Sequence, residues 1–415
     1  MTLPIIIIGA GLAGWTVARE FRKLDANSPV TLVTADRGDF YAKPSLSNAF
    51  AQGRAPAQLV STAAAKMAEN LNITLLAQTR VESVDPQART ISTAQGELGY
   101  RQLVLATGAN PIRLPLEGDA ADQVLSINSL DDFSAFHARL AGASSYENES
   151  VLASRKKQVL IMGAGLIGCE FANDLAASGY QVRVVDPSGG PMAALLPAAA
   201  STQLREALAE LGVTWHFAST VKAVNVANDM NAYAPADAKP DAPALVVELS
   251  NGLQVPADQV LSAIGLRANT ALAQAAGLVC ERGVVVDATL QTSAPGIYAL
   301  GDSAQYATGN WDLSGPVTGG RSMPYVMPIM NAAKALAATL SGTRTEVVFP
   351  LMPVANKTPA LPIVVAAPAP GTPGDWQSQE HGVWQFHDAS SRVCGFVLTG
   401  KNTSRRAEQA KLVVI

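Results

Sequence analysis

Cysteine is scarce in this 415-residue chain: Cys169, Cys280 and Cys394 are its three, and residues 1 to 168 contain none. They lie far apart, so they form neither a Cys-x-x-Cys pair nor a zinc-ligand spacing. A reducing, cytosolic compartment suits such a pattern. Charge is sparse too. Asp, Glu, Lys and Arg make up 15% of the residues, aromatics 6%, and the net charge is −4, which makes no general case for nucleic-acid or membrane partners. Glycine interrupts the longest apolar runs before they reach the about 20 residues that a bilayer-spanning helix needs. The N-terminus enters an apolar strand at once, with no basic leader, so the expectation is a soluble, unprocessed protein. A chain of this length holds two or three domains and can bury a large core without disulfide staples.

What is present is a glycine pattern that occurs twice. Gly9-Ala10-Gly11-Leu12-Ala13-Gly14 and Gly163-Ala164-Gly165-Leu166-Ile167-Gly168 stand 154 residues apart, each directly after an apolar run. In G-x-G-x-x-G the first glycine makes the tight turn out of a strand and the second lets backbone approach a pyrophosphate at a helix N-terminus. The third lets helix and strand pack closely. Pro4 to Ile8 and Gln158 to Met162 read as buried parallel strands, and helical sequence follows each triplet. In the first helix Ala13, Val17, Phe21 and Leu24 share one apolar face. A second strand then ends on an acid in each unit, Val30 to Thr34 before Asp36 and Gln181 to Val185 before Asp186. These carboxylates lie 22 and 18 residues past the third glycine, where one accepts hydrogen bonds from a ribose. A lone copy is also met in strand-to-helix turns that bind nothing; the whole unit occurring twice argues against that.

Between and after these units the chain reads as one nucleotide domain interrupted by another. Leu103 to Gly108, containing Ala106-Thr107-Gly108, is a short buried strand and small-residue turn where the first unit should close, and Val260 to Gly265 repeats the arrangement. Gly296 to Asp302 is an apolar strand ending in Gly301-Asp302, whose carboxylate either accepts from a flavin ribityl hydroxyl or caps the next turn. Ala143 to Lys157, Asn225 to Pro243 and Ala307 to Ser322 lack apolar periodicity and read as loops. A helix is expected over Pro328 to Leu340. From about Ser341, seven prolines and β-branched runs at Pro362 to Val365 and Val393 to Leu398 predict a small α+β or mostly β appendage. The fold class is therefore α/β, with two Rossmann-like dinucleotide-binding domains, one inserted in the other, and a small C-terminal α+β domain. The expected boundaries are 1–112 and 264–340 for the interrupted domain, 113–263 for the inserted one, and 341–415 for the last.

This order of pieces resembles the two-dinucleotide-binding flavoprotein family that includes glutathione reductase-like enzymes and ferredoxin and rubredoxin reductases. The resemblance covers essentially the whole chain. It implies FAD on the first unit, NAD(P)H on the inserted unit, and a C-terminal interface domain. Disulfide reductases of the family need cysteines near the flavin, and this chain has none before Cys169. The sequence is more similar still to the rubredoxin reductase branch, found in bacterial alkane oxidation, through Phe40 to Phe50, Gly165 to Leu175, Pro324 to Met330 and Met352 to Ala360. Ferredoxin reductases usually carry a lysine where this chain has Asn48. Ser303-Ala304-Gln305 departs from the group's usual Cys-Ala-Glu.

The resemblance implies roles for particular residues. FAD would lie along Gly9, Gly11, Leu12, Ala13 and Gly14, with Asp36 on its adenosine ribose and Ala106, Thr107, Gly108, Gly265 and Gly301 around it. Asp302 would meet the ribityl chain. Lys43, held by Pro44, would place a cation over the flavin's reactive edge; an ordinary solvated lysine is the competing reading. The helix opening near Tyr325 and Val326 would face the pyrimidine end of the ring, and Lys357 would approach the flavin from the C-terminal domain. NADH would lie on Gly163, Gly165, Leu166, Ile167 and Gly168. Asp186 would meet its adenosine ribose and, with no Lys or Arg in Pro187 to Gly190, disfavour NADPH. Glu170 would help place the nicotinamide, or simply favour its helix dipole.

A hydride brings two electrons and a rubredoxin iron accepts one, so the flavin would store the pair and release it singly. Rubredoxins are acidic, and residues 341 to 415 hold seven Lys/Arg against five Asp/Glu, a net +2 beside −6 for the rest. The same motif order also fits a ferredoxin-type reductase, a flavodiiron-protein reductase, or a non-catalytic FAD/NADH-responsive signalling flavoprotein similar to apoptosis-inducing factors. Asn48 and the Lys357-Thr358-Pro359 segment speak against the first. Nothing in the sequence distinguishes a monomer from a homodimer.

Overall fold

The computed structural model describes residues 2–142, 156–227, 244–307 and 320–414, so most of the three expected loops lies outside the described residues. The chain divides into two compact units, and each crosses the other's sequence. One comprises Met1–Ala42, Val60–Asn110 and Leu266–Met352; the other comprises Lys43–Leu59, Pro111–Gly265 and Pro353–Ile415.

In the first unit the run Ile5–Ile8 is buried at every position, as a parallel strand covered on both faces must be. It is the middle of a five-stranded parallel sheet in the order Ile297–Ala299, Gln102–Leu105, Ile5–Ile8, Val30–Val33, Thr74–Leu76. Because the chain proceeds from the central strand first to one side and later to the other, a crevice opens at its C-terminal end, where Gly9 stands. The helix Leu12–Leu24 buries Trp15, Val17 and Phe21 and shares one apolar core with the helix Val326–Leu340. Leu24 departs from the expected apolar face: it is 58% exposed, at the last position of the helix, after which Asp25 leaves helical geometry. A three-stranded antiparallel sheet, Val81–Asp85, Thr90–Thr93 and Gly96–Gly99, forms the crossover back to the parallel sheet.

The second unit repeats this plan. Its parallel sheet runs Thr214–Phe217, Gln181–Asp186, Gln158–Met162, Gln259–Ser262, and its crossover sheet is Val221–Val226, Leu245–Leu249, Gln254–Ala257. The C-terminal part is a five-stranded antiparallel sheet in the order Val354–Asn356, Ile363–Ala366, Val393–Thr399, Val383–Asp388, Gly374–Glu380. One face of this sheet joins the neighbouring core: Ile363, Val365, Trp384 and Val397 share an apolar cluster with Phe171, Leu175 and Leu204 of the dinucleotide-binding part.

The segment Lys43–Leu59 leaves the first unit to join the second. Phe50 explains why. Its ring packs 5.3 Å from Phe133, 5.9 Å from Phe136, 5.5 Å from His137 and 5.8 Å from Tyr180, a cluster that takes part of a large ring out of water. Among the described residues no helix is long and apolar enough to cross a membrane.

Candidate dinucleotide sites and the Glu170 cluster

The two glycine loops have the same geometry. Gly9 and Gly163 sit at φ +109° and +99°, and a Cβ there would come within 2.3 Å of the Ala106 carbonyl and 2.7 Å of the Ala263 carbonyl. A Cβ on Gly14 or Gly168 would lie 1.9 Å from the carbonyl of Gly9 or Gly163, whereas one on Gly11 or Gly165 would meet nothing within 4 Å. Turn, open approach and close packing thus fall to the first, second and third glycine. Gly11 and Gly165 cap their helices with nearly identical dihedrals (−74°, −171° and −75°, −170°) and no side-chain cap. The first amides of each helix, Leu12 and Ala13 in one and Leu166 and Ile167 in the other, have no intrahelical acceptor and face a cradle that a methyl group would begin to fill. That is the donor set a pyrophosphate fits.

The two acids differ. Asp36 is exposed, and its Oδ1 accepts from Thr34 Oγ1 (2.6 Å) and Gly38 N (2.9 Å). Asp186 is tied into its own glycine loop, Oδ2 accepting from Ala164 N at 2.6 Å and Oδ1 from Ser188 N at 2.8 Å. Carboxylate oxygens have further lone pairs, so the ribose role and this loop-fixing role are compatible. Arg205, which sequence reading did not single out, lines a cleft of about 310 Å³ with Gly189, Gly190 and Thr202 just after Asp186.

The first unit brings Gly9, Gly11, Gly14, Asp36, Ala106, Thr107, Gly108, Gly301, Asp302, Tyr325 and Val326 onto one body. The Thr107 turn is pinned by Asn269: Thr107 Oγ1 donates to its carbonyl (2.9 Å) and its N–H donates to Gly108 O (2.9 Å). Gly301 stands where a Cβ would press to 3.1 Å from Ala13 Cβ, so the Gly-Asp turn touches the first glycine helix. Its N–H donates to the Tyr306 hydroxyl (2.8 Å), whose burial raises that phenol above its ordinary value. Tyr325 caps the helix Val326–Leu340, again with no side-chain cap.

Lys43, Pro44, Gly265 and Lys357 belong to the second unit, along with Glu170. There, Glu170 is 4% exposed and collects three hydrogen bonds. Ser47 Oγ donates to Oε2 (2.5 Å), Lys357 Nζ donates to Oε2 (2.5 Å), and Lys357 N donates to Oε1 (2.9 Å). Lys357 Nζ also donates to Pro44 O (2.6 Å) and Ser47 Oγ (2.9 Å). One helical turn further on, Asp174 accepts from Phe50 N (3.0 Å) and Ala51 N (2.8 Å), and Asn173 Oδ1 accepts from Ala360 N (3.0 Å). Burial raises the Asp174 carboxyl above its usual value, against the lowering pull of the Ala51 and Phe50 amides and of Lys357. Ser47, Asn173 and Asp174 were not expected as site residues. Their signal is the spacing Glu170-x-x-Asn173-Asp174, polar groups on one face of a helix whose residues from Gly168 to Leu175 are all buried.

Cys169, beside Glu170, is no relay. It is buried, its thiol donates to Ala164 O (3.3 Å), and burial pushes its pKa well up, which leaves it inert.

Two family descriptions cover nearly all of the chain: pyridine nucleotide-disulphide oxidoreductase matches residues 3–335, and rubredoxin binding C-terminal domain matches residues 346–413. The chain is 40% identical over 411 residues to the rubredoxin-NAD(+) reductase of Alcanivorax borkumensis, covering 98% of each. It is 38% identical over 403 residues to the nitric oxide reductase FlRd-NAD(+) reductase of Aeromonas salmonicida, covering 96% of this chain and 94% of the other. Its fold matches the reductase of the covalent putidaredoxin reductase–putidaredoxin complex with a TM-score of 0.82 at 22% identity, over 99% of this chain and 93% of that one. Two uncapped glycine-led helices on a duplicated plan, matched over residues 3–335, place this chain in the pyridine nucleotide-disulphide oxidoreductase family.

Proposed function

We propose that the chain is an FAD-dependent reductase that takes hydride from NADH and passes electrons singly to rubredoxin. One observation carries the reading: a chain with two dinucleotide-type helix N-termini continues into a segment that matches the rubredoxin binding domain over residues 346–413. Bound FAD supplies the conversion of an electron pair into single electrons. The protein's own groups bind and orient.

FAD is assigned to the first unit. The Leu12 and Ala13 amides take its pyrophosphate, Asp36 its adenosine ribose, and Ala106, Thr107 and Gly108 the wall of its site. Gly301 clears space, Asp302 accepts from the ribityl chain, and the Tyr325 and Val326 end of the helix favours negative charge at the pyrimidine. NADH is assigned to Gly163, Gly165, Gly168 and the Leu166 and Ile167 amides, with Asp186 on its ribose and repelling a 2′-phosphate. Glu170 serves the nicotinamide side, and Lys43, on the turn set by Pro44, serves the flavin's reactive edge. The corresponding domains are 1–112 with 264–340, 113–263, and 341–415.

An alkane hydroxylase system in the cytoplasm is the proposed consumer of these electrons. A second reading, supply to a nitric oxide reductase of the flavodiiron type, is favoured by the 38% identical Aeromonas relative. Stopped-flow absorbance tests both: NADH or NADPH is mixed with the FAD-loaded protein, then oxidised rubredoxin, a plant-type ferredoxin, cytochrome c or a flavodiiron protein's rubredoxin module is added. Rapid bleaching by NADH followed by fast rubredoxin reduction supports the first reading. Bleaching with negligible transfer to rubredoxin discards the partner, and no bleaching discards the reductase.

A further inference from the structure

We propose that Lys357, delivered by the C-terminal segment, is a positioning residue for hydride transfer: it locks Glu170 to the Lys43-Pro44 turn instead of meeting a cofactor itself. The inference rests on the reductase reading above and extends it. An ammonium has three N–H donors. All three are used inside the cluster, on Glu170 Oε2 (2.5 Å), Pro44 O (2.6 Å) and Ser47 Oγ (2.9 Å). The backbone N–H of Lys357 is used as well, on Glu170 Oε1 (2.9 Å). To donate to a ligand the side chain would have to give up a bond to the Glu170 carboxylate, and although Lys357 is itself only half-buried, that carboxylate is 4% exposed and leaving a buried charge without its cation is unfavourable.

The neighbours of Lys357 are held on both sides. Before it, Asn356 Nδ2 points at Met192 Sδ (3.1 Å), and Met192 N donates to Ala164 O (2.7 Å) within the second glycine loop. After it, Ala360 N donates to Asn173. Lys357 therefore cannot drift from the helix that starts at Gly165. Ser47 closes the ring, accepting from Lys357 and donating to Glu170 at 2.5 Å. Three segments far apart in sequence, 43–48, 165–174 and 356–360, are thus set in fixed register around one ammonium. Lys43 is next to the Pro44 carbonyl that Lys357 grips, and Glu170 rides on the dinucleotide helix. The same C-terminal segment that matches a rubredoxin-binding domain consequently also tunes the step before any rubredoxin is involved.

The test uses the full-length, FAD-loaded protein and anaerobic stopped-flow reduction by NADH alone. In Lys357→Met the limiting rate of flavin bleaching should fall by at least about tenfold, while the NADH dissociation constant stays within about twofold. Lys357→Arg, which keeps charge and donors, should recover most of the rate, and Ser47→Ala should show a smaller loss of the same kind. Bleaching of Lys357→Met at the wild-type rate, or slowing that appears only when rubredoxin is added, overturns the proposal. If Lys357→Met fails to retain FAD, Ser47→Ala decides: a slowed limiting rate with unchanged NADH affinity supports it, and a wild-type rate overturns it. Failure of the wild type to bleach with NADH would instead refute the reductase reading.

Discussion

Glycines 165 and 168 occupy one loop and have opposite tasks, so alanine at each should fail differently. An added methyl on Gly165 meets no protein atom within 4 Å. Gly165→Ala should therefore leave the melting temperature of the apoprotein nearly unchanged while weakening NADH at least about tenfold, or about 1.4 kcal/mol. At Gly168 the methyl would sit 1.9 Å from the Gly163 carbonyl, and overpacking of that kind costs about 3 kcal/mol. Melting curves and a titration with NADH separate the two, and equal melting temperatures would refute this division of labour. Asp186→Ala should likewise weaken NADH binding, and it also strands the Ala164 and Ser188 amides it now satisfies. Lys43→Ala should leave NADH binding intact and alter the rate of flavin reduction; equal effects of both substitutions on both quantities would sink the assigned roles. These glycines and acids are legible in sequence because backbone turns and strand ends are local. Ser47 and Asp174 are not, since the bonds that tie Ser47 to Glu170 and Asp174 to the Phe50 and Ala51 amides span 123 or more residues.

The helix Leu166–Ala177 shows what an element adds. Its face Glu170, Asn173, Asp174 organises two distant segments, and burial of Asp174 has a consequence for pH. A carboxyl whose folded pKa is raised holds its proton to higher pH than the unfolded chain does, so folding stability falls as pH climbs from the ordinary 3.8 through the shifted value. Asp174→Asn cannot titrate. Its stability relative to wild type should therefore rise with pH across that window, as read by calorimetry at a series of pH values. A difference that does not change with pH would show that Asp174 is not the group responsible. Strand and helix positions agree closely with the sequence-based expectation: Gln158–Met162 falls where predicted, and the helix expected over Pro328 to Leu340 begins two residues earlier at Val326. Leu24 was misassigned because periodicity continues to the end of a helix, whereas the core does not.

At the scale of the whole molecule, each unit carries its own copy of the glycine-loop plan, and the C-terminal sheet joins the core of the second. Folding changes the charge argument for partner docking. Of the seven basic residues after Ser341, Lys357, Arg392 and Arg405 are engaged with Glu170, Asp388, and Glu380 and Glu408. Lys401, Arg406 and Lys411 remain exposed near the C-terminus. If these steer an acidic redoxin, the triple substitution Lys401→Gln, Arg406→Gln, Lys411→Gln should slow rubredoxin reduction severalfold at low salt. It should also flatten the salt dependence, because exposed charges are screened over about 8 Å at physiological ionic strength, and it should leave NADH bleaching untouched. An unaltered salt dependence would place docking elsewhere.

By itself the sequence determined the duplicated dinucleotide plan, the order of the pieces, the glycine roles and the absence of a thiol pair before Cys169, because each depends on residues adjacent in the chain. Only the tertiary structure decided that Pro44, Ser47 and Lys357 share a cluster with Glu170, that the 43–59 segment joins the second unit, and that the C-terminal sheet shares that unit's core. The reason is physical. A backbone turn is selected by the residue that makes it, whereas a half-buried ammonium takes whichever acceptors packing brings within reach.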